Sequence, residues 1–181
     1  MEIQKQDNVK ILVSQRLYLR FFKAEDAIAV YDYRSLKEVA RYQYWEPYTR
    51  EQAVAFVEQC INSDLDKKDE WIGLAIVDPI NDKLIGDCAL RIIGQSAEMG
   101  CNISPRYQKK GFAKETLLLL VSYCIKLGYV KEIFGITDSE NMASVRLMES
   151  IGMVKEPDFE EKVICKGILS VEHKYCIKLK N

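Results

Sequence analysis

The spacing of apolar positions changes several times along the chain. Leu17, Leu19 and Phe21 alternate with Tyr18, Arg20 and Phe22, the two-residue period of a strand. From Ala24 to Ser35 the period becomes helical, with Ala27, Ile28, Val30 and Tyr31 as the apolar positions. Val39 to Tyr48 carries Tyr42, Tyr44, Trp45 and Tyr48, and Pro47 breaks any helix there. Thr49-Arg50-Glu51-Gln52 is a capping pattern that opens a helix over Ala53 to Ile61, with Ala53, Phe56, Val57 and Cys60 on one face. Asn62 to Glu70 is a charged link. Trp71 to Val77 and Leu84 to Ile93 read as a hairpin around the turn Pro79 to Asp82.

Glu98 to Ile103 is the next strand. It leads through a turn, Ser104 to Tyr107, into a helix over Lys114 to Leu127 closed by Gly128. Lys131 to Asp138 is a strand, and Asn141 to Ser150 a short helix stopped by Gly152. Met153 to Phe159 reads as strand then loop, with Pro157 confining it to an edge. Val163 to Leu169 and Glu172 to Leu179 read as two last strands, and residues 1–14 as a loose polar arm. The order β-α-α-β-β-β-α-β-α-β-β predicts an α/β fold, a mixed sheet with helices on its faces. At 181 residues a single domain over 1–181 is expected.

Composition narrows the chemistry. Apolar residues make up 48% of the chain, which excludes disorder, and 26 basic against 27 acidic residues leave a net charge of −1. That balance gives no global pull toward nucleic acid or an anionic membrane, so neither is expected as a partner. The six cysteines form no Cys-x-x-Cys pair and read as buried free thiols of a reducing compartment. His173 is the single histidine, which argues against Ser-His and Cys-His catalysis, and no metal site is expected. The first residues have no apolar signal core, and a cytoplasmic protein is expected.

Candidate chemistry centres on Gln108-Lys109-Lys110-Gly111-Phe112-Ala113, where strand, turn and helix start meet at a glycine. Free backbone N–H groups and the partial positive charge of a helix start suit a phosphate. Gly111 admits a close ligand, and Lys109 and Lys110 add charge. Neither a Walker loop nor a GxGxxG fingerprint is present.

The run resembles the Gln/Arg-x-x-Gly-x-Gly/Ala pyrophosphate loop of the GNAT acetyltransferases. Asn141 to Met153 is similar to that family's Asn-x-x-Ser segment ending in Gly-Phe, with Met153 in place of Phe. Arg16-Leu17-Tyr18-Leu19-Arg20 and Trp45-Glu46-Pro47-Tyr48-Thr49 resemble the first strand and the Trp-x-Pro segment of its ribosomal-protein N-acetyltransferase branch. The resemblance implies the acyl-CoA N-acyltransferase fold, with a mostly antiparallel sheet. It implies transfer of acetyl from acetyl-CoA directly to a primary amine in a ternary complex. The acceptor would be a protein N-terminal α-amine or a small amine, and the chain a monomer or homodimer. A polycationic acceptor would want several acidic wall residues, and the aromatic segment supplies only Glu46.

The resemblance also assigns residues. Cys101, Asn102 and Ile103 would line a gap in the sheet and meet the pantetheine arm through main-chain groups. Gln108 to Ala113 would hold the pyrophosphate. Asn141 would hold a water or the cofactor, or cap its helix. Arg146 would reach phosphate or lie in solvent. Many relatives place a tyrosine at the position of Met148 as the acid for the departing thiolate, and methionine cannot donate a proton. The ribosomal-protein branch uses a serine, here Ser144, which could equally only cap or pack its helix. Tyr42, Tyr44, Trp45 and Glu46 would form the acceptor wall or a packed lid. Glu98, Asp138, Glu140 and Glu46 are open candidates for the base, and His173 and Tyr175 read as structural. The other class of function is a non-catalytic acyl-CoA-binding or regulatory domain, favoured by Met148.

Overall fold

In the computed structural model, which describes residues 9–67 and 69–179, eight strands form one sheet. The strands are β1 (Leu12–Val13), β2 (Tyr18–Arg20), β3 (Ile72–Asp78), β4 (Lys83–Ile93), β5 (Ser96–Ile103), β6 (Glu132–Asp138), β7 (Val154–Cys165) and β8 (Ile168–Lys178). The helices are α1 (Asp26–Arg34), α2 (Lys37–Ala40), α3 (Arg50–Ile61), α4 (Phe112–Leu127) and α5 (Met142–Ser150), with a 3₁₀ turn at Pro105–Tyr107. The sheet order is β1-β2-β3-β4-β5-β6-β8-β7. Every neighbouring pair is antiparallel except β5–β6.

One face of the sheet packs on α1 and α3. Tyr18, Phe22, Ala75, Val77 and Leu84 meet Val30, Tyr33, Ala53 and Val57 there. On the other face, Leu19, Leu74, Ile76, Ile85 and Leu90 join Leu117, Leu120, Cys124, Val145 and Met148 of α4 and α5. The capping pattern before α3 forms as a reciprocal pair. Thr49 Oγ1 accepts from the Gln52 N–H at 3.3 Å, and Gln52 Oε1 accepts from the Thr49 N–H at 2.8 Å.

Three expectations need correction. The arm expected over residues 1–14 carries β1, whose Leu12 and Val13 pair with Leu19 and Tyr18; residues 1–8 lie outside the described residues. The short helix α2 lies in the aromatic stretch, where four residues are too few to show a period. The three segments read beyond Gly152 are two long strands turning at Lys166-Gly167. Their register slips between Lys155 and Glu160, and Pro157 falls in that slip on the sheet's edge strand. The other elements lie within a few residues of their expected places. All six cysteines are free thiols.

Candidate active site

The parallel pair β5–β6 is matched only at Ser96–Glu132, Ala97–Ile133 and Glu98–Phe134. Beyond Glu98, β5 stays with β4 as far as Ile103, and β6 stays with β8 as far as Asp138. The two strands therefore part, and the main chain of Met99 to Asn102 is not spent on β6. Gly135 marks the parting: a Cβ there would lie 2.8 Å from Met148 Sδ and 3.3 Å from the Met99 carbonyl oxygen.

A cavity of about 680 Å³ occupies the gap. Phe56 and Cys60 of α3 line it from one side of the sheet, and Leu117, Ser144, Leu147 and Met148 from the other, so it passes through the sheet. Met99, Gly100, Cys101 and Asn102 line its middle. Burial, with Asp87 nearby, pushes the Cys101 thiol up to about 12, so it is a neutral thiol at physiological pH.

Ser144 and Met148, one turn apart on α5, both line the cavity. Asn141 lines it too and caps α5, its Oδ1 accepting from the Ser144 N–H at 3.3 Å. Tyr42, Tyr44, Trp45 and Tyr48 form an aromatic wall. Tyr42 donates to the Glu140 carbonyl at 3.3 Å and Tyr44 to Glu172 at 2.5 Å, so the segment reaches across to the β6–β8 side.

Three assigned residues stand elsewhere. Glu46 is exposed and is not part of the lining, because its neighbours Trp45 and Tyr48 turn inward. Arg146 is exposed on α5, away from the cavity. Ile103 is buried, and its carbonyl accepts from Gln108 Nε2 at 2.9 Å. The loop Gln108 to Ala113 lies outside the cavity, beyond the end of β5 at the start of α4.

That loop is held by its carbonyls. Lys110 Nζ donates to the Arg106 carbonyl at 2.9 Å, and Arg16 Nη1 to the Lys110 carbonyl at 2.8 Å. Arg16 also pairs with Glu115 at 2.6 Å and lies 4.9 Å from the Phe112 ring centre. Burial would raise the Glu115 carboxyl, but hydrogen bonds from Ser14 and Arg16 outweigh it and hold the value below normal. Gly111 at φ +84° and Lys109 at φ +59° turn the chain into the helix. The first N–H groups of a helix have no partner within it, which is the general basis of anion binding at such a start.

The sequence reading missed the buried centre of the wall. Arg34 Nη2 and Nε donate to Asp87 at 2.7 and 3.1 Å, with both side chains buried inside the cavity lining. Tyr33 donates a short hydrogen bond to the same carboxylate, and Asn102 Nδ2 donates at 3.2 Å. The available signal was Asp87 itself, a carboxylate inside the apolar run Leu84 to Ile93. Glu98, Asp138 and Glu172 also line the cavity, giving four carboxylates against one cation, Arg34. Asp138 faces Glu172 directly across β6–β8, and Glu172 faces Glu161 across β7–β8. Glu98 is paired with Arg91 at 2.6 Å, whereas among the described residues no ion pair neutralises Asp138 or Glu172.

A mixed sheet parted at one parallel pair, with a helix start at the parting and a cavity through the gap, is the architecture of an acyl-CoA N-acyltransferase. The acetyltransferase (GNAT) domain model matches residues 16–154, and the chain belongs to that family of N-acetyltransferases. An uncharacterized N-acetyltransferase of Bacillus subtilis, YnaD, is 32% identical over 158 residues, covering 86% of this chain and 89% of its own. The spermidine N(1)-acetyltransferase of Escherichia coli K12 is 26% identical over 88% of this chain and 84% of its own. A GNAT-family acetyltransferase structure from Bacillus anthracis superposes with a TM-score of 0.81 at 25% identity, covering 92% of this chain and 97% of that one.

Proposed function

We propose that the chain moves acetyl from acetyl-CoA to a small cationic amine, both bound at once. The carrying observation is the charge of the cavity: Asp138 and Glu172 face each other across β6–β8 with no ion-pair partner among the described residues, Glu98 is held by Arg91, and the lining's one cation, Arg34, is already paired to Asp87. Like charges facing each other across strands cost stability unless a cation sits between them. A polyamine supplies such charges, and the aromatic wall suits its alkyl stem and ammonium groups. Asp138 and Glu172 come from strands β6 and β8 and not from the aromatic segment, so that segment's single Glu46 does not measure the cavity's acidity. The relative that acts on spermidine points the same way.

In this reading the N–H groups of Lys109 to Ala113 hold the pyrophosphate of the donor. Main-chain groups beside Cys101 and Asn102 hold the pantetheine arm and polarise the thioester oxygen as it becomes an oxyanion. The reacting ammonium gives one proton to solvent and attacks the carbonyl carbon as the free amine, the C–S bond breaks, and the nitrogen loses its second proton to solvent as the amide forms. Ser144 gives its proton to the departing sulfur and recovers one from solvent. The raised Cys101 thiol is a poor nucleophile at neutral pH, which favours direct transfer over an acyl intermediate on it. Of the carboxylates considered as base, Glu98 and Asp138 line the cavity, and Glu46 and Glu140 do not.

The test is thiol release from acetyl-CoA with a linear triamine, a monoamine and short peptides with free N-termini. The triamine is expected to be turned over with the highest kcat/KM. Preference for a peptide would overturn the acceptor class. Donor binding with no turnover of any amine would replace the enzyme by a binding domain.

A further inference from the structure

Arg34 and Asp87 cannot be explained by stability alone. Both are about 5% exposed or less, and a buried ion pair returns little more than its desolvation costs. An apolar pair of similar volume would hold α1 on β4 about as well. What the ion pair adds is geometry. The guanidinium carbon lies 3.9 Å from the Phe56 ring centre, 4.7 Å from Trp45 and 5.2 Å from Tyr48, and Nη1 donates to the Tyr48 hydroxyl at 3.0 Å. Asp87 fixes the plane of that guanidinium by accepting from both Nε and Nη2. The same carboxylate holds Asn102, on the strand where the sheet parts.

We propose that Arg34 and Asp87 are a positioning pair that sets the acceptor wall and screens its charge. This rests on reading the cavity as the acceptor site. Arg34 places the rings against which the acceptor lies. Asp87 orients Arg34 and cancels its charge, so that a cation entering between Asp138 and Glu172 meets no unpaired guanidinium from Arg34. Through Asn102 the carboxylate also ties the wall to the strand beside the donor gap. A lysine in place of Arg34 keeps the charge but loses both the two-pronged bond and the flat face that lies on the rings.

The test is steady-state kinetics of the full chain with the triamine and the monoamine. Three variants are compared: Arg34→Lys, Asp87→Asn and the paired Arg34→Met/Asp87→Leu. Arg34→Lys is expected to raise KM for both acceptors by roughly tenfold while KM for acetyl-CoA stays within about twofold. Asp87→Asn is expected to cut the preference for triamine over monoamine by at least about fivefold, because the exposed guanidinium repels the higher charge more. The paired variant carries neither charge. It should regain the preference while KM for both acceptors stays raised. An acceptor KM unmoved in folded Arg34→Lys, or an equal loss for both acceptors in Asp87→Asn, overturns the proposal. Should Asp87→Asn fail to fold, the paired variant decides: wild-type acceptor KM values in it overturn the proposal. Wild-type protein that turns over no amine defeats the acceptor reading itself, and this inference with it.

Discussion

Ser144 and Met148 lie one helical turn apart on α5 and both line the cavity. Met148 is 4% exposed, packs against Gly135 and has no proton to give. Ser144 lies on the same face and lines the cavity. A donor that acts on the leaving sulfur works only as charge develops there, so its loss belongs in kcat and not in KM. Ser144→Ala is expected to lower kcat by roughly 10²–10⁴-fold with CoA affinity unchanged, as read by steady-state kinetics and calorimetry. A kcat within about twofold of wild type would leave water as the proton source. The lysines of the donor loop separate by the same kind of detail. Lys110 spends its ammonium on the Arg106 carbonyl, so Lys110→Ala should weaken CoA binding by disordering the loop, at low and high salt alike. Lys109→Ala should weaken it chiefly at low salt. The candidacy of Ser144 as the acid came from the resemblance, and that it shares a helix face with Met148 was legible from the spacing. The Arg34–Asp87 pair was not, because its partners are 53 residues apart and only the folded sheet brings them together.

At the scale of elements, the start of α4 is secured by the turn between β1 and β2. Ser14 Oγ donates to Glu115 at 2.6 Å, and Arg16 reaches the same carboxylate through its backbone N–H and its guanidinium. The folded Glu115 carboxyl is held below its ordinary value of 4.5, so this latch adds stability above that pH and loses it as pH falls through the lowered value. Thermal denaturation should therefore show a Tm gap between wild type and Glu115→Gln that is full near neutrality and closes in acid. A gap independent of pH would mean that packing, not the charge, holds the latch. Strands and helices with several periods were legible from spacing. The β7–β8 hairpin was broken wrongly at Pro157 and again near Leu169. Its outer strand is largely exposed, and the Lys174 ammonium, 3.2 Å from Glu132 and 3.0 Å from Glu156, ties it to the sheet in place of an apolar face. Such a strand has no clean two-residue pattern to read.

Across the whole molecule, a net charge of −1 conceals two fields of opposite sign. Arg106, Lys109, Lys110 and Lys114 gather at the loop before α4 and its first turn, and Asp138 and Glu172 line the cavity without ion-pair partners among the described residues. Composition could exclude a global attraction to polyanions but could not reveal a local separation, which exists only once β6, β8 and α4 are placed. In the function proposed, these opposite local fields would draw an anionic donor to the loop and a cationic acceptor to the cavity. Salt must then weaken both. The Debye length falls from about 30 Å at 0.01 M to about 3 Å at 1 M, below the span of either cluster. Raising KCl across that range is expected to raise KM for acetyl-CoA and KM for a triamine together, several-fold each. KM for a monoamine should rise less, and kcat should hold, because the reacting atoms are already enclosed. A donor KM that rises while the triamine KM stays flat would show that the carboxylates of the cavity do not recruit the acceptor, and would leave the aromatic wall alone to bind it.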